Sequence, residues 1–178
     1  MDTLRLFALD DEMEIRSAQL EDLERINEIY NYFVLNAFCT FDITPCPIED
    51  RKTWFEDYRG NTSYRAFVAV ESGRVVGWAC TGKYRDHPAF QKTADLTIYI
   101  DPAHHKKGVG IALYSKLFEV TIQDGFFHVL LAAVALPNEG SIKLHKRFAM
   151  EEVGVFKEYG KKNGRYISSI WLQRVLST

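Results

Sequence analysis

The chain has 178 residues, 47% apolar, 26% charged and 13% aromatic, with a formal net charge of −2. This length predicts one domain large enough to bury its own core, and a charge so near neutral gives no footing for nucleic acid as a partner. No apolar run approaches the ~20 residues that span a bilayer, so no membrane partner is expected, and the acidic opening MDTLRLFALDDE lacks a signal-peptide layout.

Residues 1–12 read as an N-terminal extension and 13–174 as the domain. Glu14–Ala18 alternates as a short strand. Leu20, Leu23, Ile26, Ile29 and Tyr30 then have the spacing of one helix face. Pro45 and Pro47 break the chain before a second helix, about Ile48–Tyr58, with Trp54 and Phe55 inward. Arg65–Val70 and Arg74–Lys83 are expected strands joined at Ser72-Gly73, a hairpin signal. Thr93–Ile100 is a third strand, and a helix over Gly108–Gln123 ends at Gly125. Val129–Val134 is nearly all apolar and is expected to be a strand buried on both faces. Asn138–Phe148 reads as a helix, and strands near Glu152–Glu158 and Tyr166–Gln173 flank a turn at Asn163-Gly164. The order β-α-α-β-β-β-α-β-α-β-β predicts an α+β fold with helices on both faces of the sheet.

The stretch IYIDPAHHKKGVGIAL, residues 98–113, joins a strand to a helix through a basic loop with two glycines. Without Cβ atoms, Gly108 and Gly110 let backbone N–H groups approach a ligand closely. The free N–H groups and positive dipole end of the helix point the same way, and Lys106 and Lys107 add charge. A pyrophosphate is the natural occupant. The loop is not a Walker A sequence, since no Gly-Lys-Ser/Thr occurs. It is not the dinucleotide fingerprint either, since Gly108-Val109-Gly110 is followed by Ile111, Ala112 and Leu113.

His105-Lys106-Lys107-Gly108-Val109-Gly110 resembles motif A of the GNAT acetyltransferases, Q/R-x-x-G-x-G/A, with His105 where Gln or Arg is usual. Gly77-Trp78-Ala79 falls where that family has a Val-Val-Gly strand. Asn138 and Ser141, followed by Leu144-His145, are similar to its N-x-x-S/A…L-Y/H motif. The element order agrees over about 13–172. Within the family the chain resembles the phosphinothricin acetyltransferase branch through Ile29-Tyr30-Asn31, Asn36, Thr40-Phe41, Trp54-Phe55, Thr93…Tyr99 and Lys162-x-Gly164-Arg165.

The resemblance implies the GNAT fold, a central mixed and mostly antiparallel sheet flanked by helices on both faces. It implies acetyl-CoA as co-substrate, no metal, a small-molecule amine (an amino acid or analogue) as acceptor, and a homodimer. By the same resemblance, Ile98, Tyr99 and Ile100 offer backbone groups to the thioester and pantetheine. His105, Lys106, Lys107, Gly108, Val109 and Gly110 hold the pyrophosphate, and Asn138 and Ser141 line the cofactor. Asp95 stands where the branch has a Glu taken as general base. His145 stands where many relatives have a Tyr near the CoA sulfur, and a His can also donate the proton that a leaving thiolate takes. Phe41, His87 and Tyr166 fall on the acceptor side.

That side departs from the branch. His87 aligns with an Arg that clamps a carboxylate, and the G-R-W-x-D ending reads Gly164-Arg165-Tyr166-Ile167-Ser168. The cysteines Cys39, Cys46 and Cys80 have no metal-ligand spacing and read as reduced thiols of a cytoplasmic protein, Cys80 in the core. None sits in a motif position for an acyl-enzyme, so direct transfer in a ternary complex is expected. The missing Glu and altered ending leave a second reading, a non-catalytic acyl-CoA-binding module.

Overall fold

The computed structural model describes residues 13–60 and 62–176, and the expected N-terminal extension, 1–12, lies outside them. Among the described residues seven strands and four α-helices follow one another as expected: β1 Glu14–Ser17, α1 Leu23–Asn36, α2 Ile48–Phe55, β2 Ala66–Glu71, β3 Arg74–Lys83, β4 Thr93–Ile100, α3 Val109–Asp124, β5 Val129–Ala135, α4 Glu139–Arg147, β6 Glu151–Lys162 and β7 Arg165–Val175. The strands form one sheet in the order β1-β2-β3-β4-β5-β7-β6. Every neighbouring pair is antiparallel except β4–β5, which α3 connects as a crossover.

Two apolar cores lie on opposite faces. Phe67 and Ala69 of β2 pack with Leu113, Tyr114 and Leu117 of α3, while Val68 and Val70 of the same strand pack with Leu23, Ile26 and Ile29 of α1. A strand covered on both faces has no solvent side to make polar, which is why Ala66–Val70 is an unbroken apolar run. Each aliphatic side chain buried in this way stabilises the fold by roughly 1.5–3 kcal/mol. Trp78 and Cys80 belong to the α1 and α2 side. Both expected hairpin turns have left-handed backbone at their two central residues, Ser72-Gly73 and Asn163-Gly164.

Some expectations need correction. β5 is not buried on both faces: Leu130, Ala132 and Val134 are buried, but Ala133 is exposed. The helices α1 and α2 cover only the β1–β4 half of their face, so the alternate residues of β5 look into an open cleft. α2 ends at Phe55, and Glu56–Tyr58 continues as a 3₁₀ turn. β6 and β7 run well past their expected ends and form a long arm at the sheet edge. Its first strand is mostly exposed and has register shifts between Glu152 and Gly154 and between Phe156 and Gly160.

Candidate active site

The ladder between β4 and β5 is short. It pairs Thr93 with Val129, Ala94 with Leu130 and Asp95 with Leu131, then stops. β4 stays paired with β3 as far as Ile100–Gly77, and β5 with β7 as far as Ala135–Ser169. The strands therefore part like a V, and the main chain of Leu96–Ile100 has no strand beside it on the β5 side. A cleft of about 770 Å³ opens between them.

The loop of β4 into α3 closes one end. Asp101 accepts from the Ala103 N–H at 2.9 Å and pairs with Arg25, which also donates to the Val75 carbonyl at 3.1 Å. Burial alone would raise the Asp101 carboxyl, but the Ala103 N–H, Arg25 and His104 outweigh it and hold the carboxyl below its ordinary value. His105 donates from Nε2 to the Ile100 carbonyl at 2.9 Å and stacks on Phe33. Lys106 and Gly108 both have left-handed backbone, and Gly108 is the N-cap of α3. A Cβ on Gly108 would meet nothing within 4 Å. One on Gly110 would lie 3.0 Å from Ile100 Cδ1 and 3.1 Å from Leu144 Cδ2, so its bare backbone lets the first turn of α3 sit close to β4 and α4. A helix N-terminus, a nearby lysine and open space at Gly108 suit a pyrophosphate.

α4 forms the opposite wall. Asn138 caps it by accepting from the Ser141 N–H at 3.2 Å through Oδ1, an arrangement that does not use its amide NH₂. His145 is only 2% exposed. Its Nδ1 lies 2.7 Å from the Ser141 carbonyl, which can only accept, so Nδ1 carries the proton and Nε2 accepts from Tyr114 Oη at 2.8 Å. Burial lowers the pKa of His145, so the ring is neutral. Neither nitrogen has a proton aimed into the cleft.

Asp95 sits at the apex of the V. Its Oδ1 is buried without a hydrogen-bond partner, and burial pushes the carboxyl up to about 6, against the lowering effect of the Leu96 N–H. Such a carboxylate is ionised at neutral pH yet basic enough to take a proton. Cys39, Thr40, Phe41 and Tyr159 also line the cleft.

Of the residues singled out in the sequence, the cleft thus gathers Asp95, Ile98, Tyr99, Ile100, His105, Lys106, Gly108, Val109, Gly110, Asn138, Ser141, His145 and Phe41. Lys107, His87 and Tyr166 do not line it. His87 is exposed in the β3–β4 loop, where Nδ1 accepts from the Ala89 N–H at 3.1 Å. Tyr166 is 58% exposed on β7, under the Lys161 ammonium. Lys143 and Arg147 of α4 line the cleft and were not anticipated, although their spacing of four places them on one helix face. Cys39 and Tyr159 had no sequence signal, because loop and arm meet only in the fold. Among the described residues no cluster of three or more His, Cys, Asp or Glu could hold a metal ion, and no helix is long and apolar enough to cross a membrane.

A parted pair of parallel strands beside a glycine-capped helix N-terminus that suits an anion defines the class, an acyltransferase taking its acyl group from a CoA thioester. The comparisons agree: the acetyltransferase (GNAT) domain family matches residues 15–171, and the chain belongs to that family. It is 35% identical to the phosphinothricin N-acetyltransferase of Streptomyces coelicolor, over 93% of this chain and 97% of that one. It is 34% identical to the L-methionine sulfoximine/L-methionine sulfone acetyltransferase of Pseudomonas paraeruginosa, over 89% of this chain and 92% of the other. The crystal structure of a phosphinothricin acetyltransferase from Sinorhizobium meliloti in complex with acetyl-CoA superposes with a TM-score of 0.87 at 32% identity, covering 93% of this chain and 89% of that one.

Proposed function

We propose that the protein transfers the acetyl group of acetyl-CoA to the amine of a small molecule, an amino acid or analogue, by direct attack in a ternary complex. The observation that carries this is Asp95. A carboxylate raised to about 6, with a buried oxygen free of partners, sits where the strands part in a cleft whose far end suits a pyrophosphate. A module that only bound CoA would have no use for it. The relatives named for phosphinothricin and methionine sulfoximine support the acceptor class.

Acetyl-CoA supplies the acetyl group as a thioester. The Gly108–Gly110 end of α3 and Lys106 hold its phosphates, and the open edge of Ile98–Ile100 and the Asn138 amide bind the pantetheine arm. Asp95 takes the proton that the acceptor nitrogen loses as the C–N bond forms and the C–S bond breaks. Cys39 is no rival nucleophile, because burial raises its thiol pKa and keeps it protonated. His145 acts as an internal brace of α4, since donation to a leaving thiolate would first break its bond to Ser141. Phe41 borders the acceptor. His87 and Tyr166 would reach it only if the β3–β4 loop or the arm moved, or through a second copy of the chain.

The homodimer belongs to this proposal, supported by exposed Val153, Val155 and Phe156 on the edge strand β6. So does the cytoplasm, supported by three free cysteines. Calorimetry with acetyl-CoA, followed by thiol release over a panel of amino acids and simple amines, tests the function. Tight acetyl-CoA binding with no acceptor turned over would refute it.

A further inference from the structure

The signature Lys162-x-Gly164-Arg165, with no role so far, lies at the tip of the β6–β7 arm and reaches across to the loop between α1 and α2. Lys162 is 1% exposed, and its Nζ donates to the Thr40 carbonyl at 3.0 Å. The Arg165 guanidinium lies over the Phe38 ring, 4.8 Å from its centroid. Phe41 lies against Gly160, so closely that a Cβ there would fall 2.3 Å from Phe41 Cε1, and its ring meets Tyr159 edge-on at 5.2 Å. Four contacts thus join segments about 120 residues apart, and Phe38–Phe41 is the segment that supplies Cys39, Thr40 and Phe41 to the cleft.

The arm is shaped for this. Between Phe156 and Gly160 the strand carries extra residues opposite Ser169–Ile167, an irregularity of the kind that re-aims a side chain. Ser168 ties the bulge by accepting from the Glu158 N–H at 2.9 Å. On the loop side, Thr40 Oγ1 is 3.0 Å from Tyr30 Oη, which also donates to Asp42. The loop is held from both sides.

We propose that the arm is the seat of the acceptor wall: the Phe41–Gly160 contact is the pair that determines which acceptors fit, and Lys162 is a positioning residue acting through Thr40. This rests on the transferase reading above. A bare backbone at Gly160 makes room for the Phe41 ring, and a side chain there would displace a ring that lines the cleft.

The test is a cycle of Gly160→Ala and Phe41→Ala. In the parent, Gly160→Ala should change the ratio of kcat/KM for large over small acceptors by about tenfold or more, with the KM for acetyl-CoA unmoved. In the Phe41→Ala background the same change should do nothing, because the ring it displaces is gone. An equal effect in both backgrounds, or none in either, overturns the proposal. Lys162→Met should raise acceptor KM, leave acetyl-CoA affinity unchanged and speed amide exchange in residues 38–42. A loss of kcat with both KM values unmoved, or unchanged exchange, overturns the role of Lys162. If the parent acetylates no amine, the transferase reading falls. The exchange arm still decides the seat: unchanged exchange over 38–42 in both Gly160→Ala and Lys162→Met refutes it.

Discussion

Asp95 on β4 pairs with Leu131 on β5 at the last rung before the two strands part. The chemistry proposed here depends on that position. Its strand neighbours Ala94 and Leu96 are buried in the α3-side core on the opposite face, so a shift of one residue either way would take the carboxylate off this face of the sheet. At the apex it is desolvated without being sealed off, and its pKa is about 6.

Asp95→Asn keeps shape and removes proton acceptance. Acetyl-CoA affinity should hold while kcat/KM falls by about 10²–10⁴. In the parent, kcat/KM should rise with pH through about 6 and level off above it, and the variant should lose this limb. Asp95→Glu should keep activity. Near-parental rates for the Asn variant across the pH range would assign proton removal elsewhere.

The same residue has a stability signature. A carboxyl raised in the fold is a cost, absent below the unfolded value of 3.8, growing as pH rises through 4 to 6 and full above that. Asp95→Asn should therefore raise stability on the order of 2 kcal/mol at pH 8 and change it little at pH 3.5. Urea melts at the two pH values measure this directly. Equal effects at both would mean that the carboxyl is not perturbed.

Gly110→Val should weaken acetyl-CoA binding by moving α3. Its side chain collides with Ile100 and Leu144, so Tm should fall as well. Gly108→Val meets open space but forces a β-branched residue to a φ of 86°. It should cost about 1–3 kcal/mol of stability and still weaken binding, because its side chain projects where phosphate is expected. Calorimetry on folded variants checks both, and unchanged affinity would separate this loop from the CoA site.

Tyr114→Phe leaves His145 Nε2 buried without a partner and should destabilise by about 1–3 kcal/mol, with acetyl-CoA affinity unchanged. His145→Gln should lower Tm and leave the shape of the pH–rate profile intact. If the His145 variant instead lost a basic limb of that profile, the brace would prove to be an acid after all.

His87→Ala should leave acceptor KM within about twofold, since the ring caps Ala89 away from the cleft. Phosphinothricin should be a poor acceptor, because a His ring cannot make the bidentate pair that Arg makes with a carboxylate. A His87 variant with much higher acceptor KM would bring that loop to the site, and efficient phosphinothricin turnover would mean that another cation replaces the lost Arg.

The sequence by itself determined the element order, the helices on both faces of the sheet and the glycine-bearing loop that opens α3. These rest on local rules: apolar spacing at Leu113 and Leu117, the unbroken apolar run of β2, turn residues at Ser72-Gly73 and Asn163-Gly164, and glycines at a helix start. Each is written within a few residues and does not depend on distant chain. Only the tertiary structure decided the environment of each polar group. That Asp95 is desolvated, that both nitrogens of His145 are engaged, that Lys107, His87 and Tyr166 stand off the cleft, and that Lys162 reaches Thr40 all depend on partners dozens of residues away. Burial and hydrogen bonding set the chemistry of these side chains, and both arise only when β4 and β5 part and the β6–β7 arm closes over the α1–α2 loop.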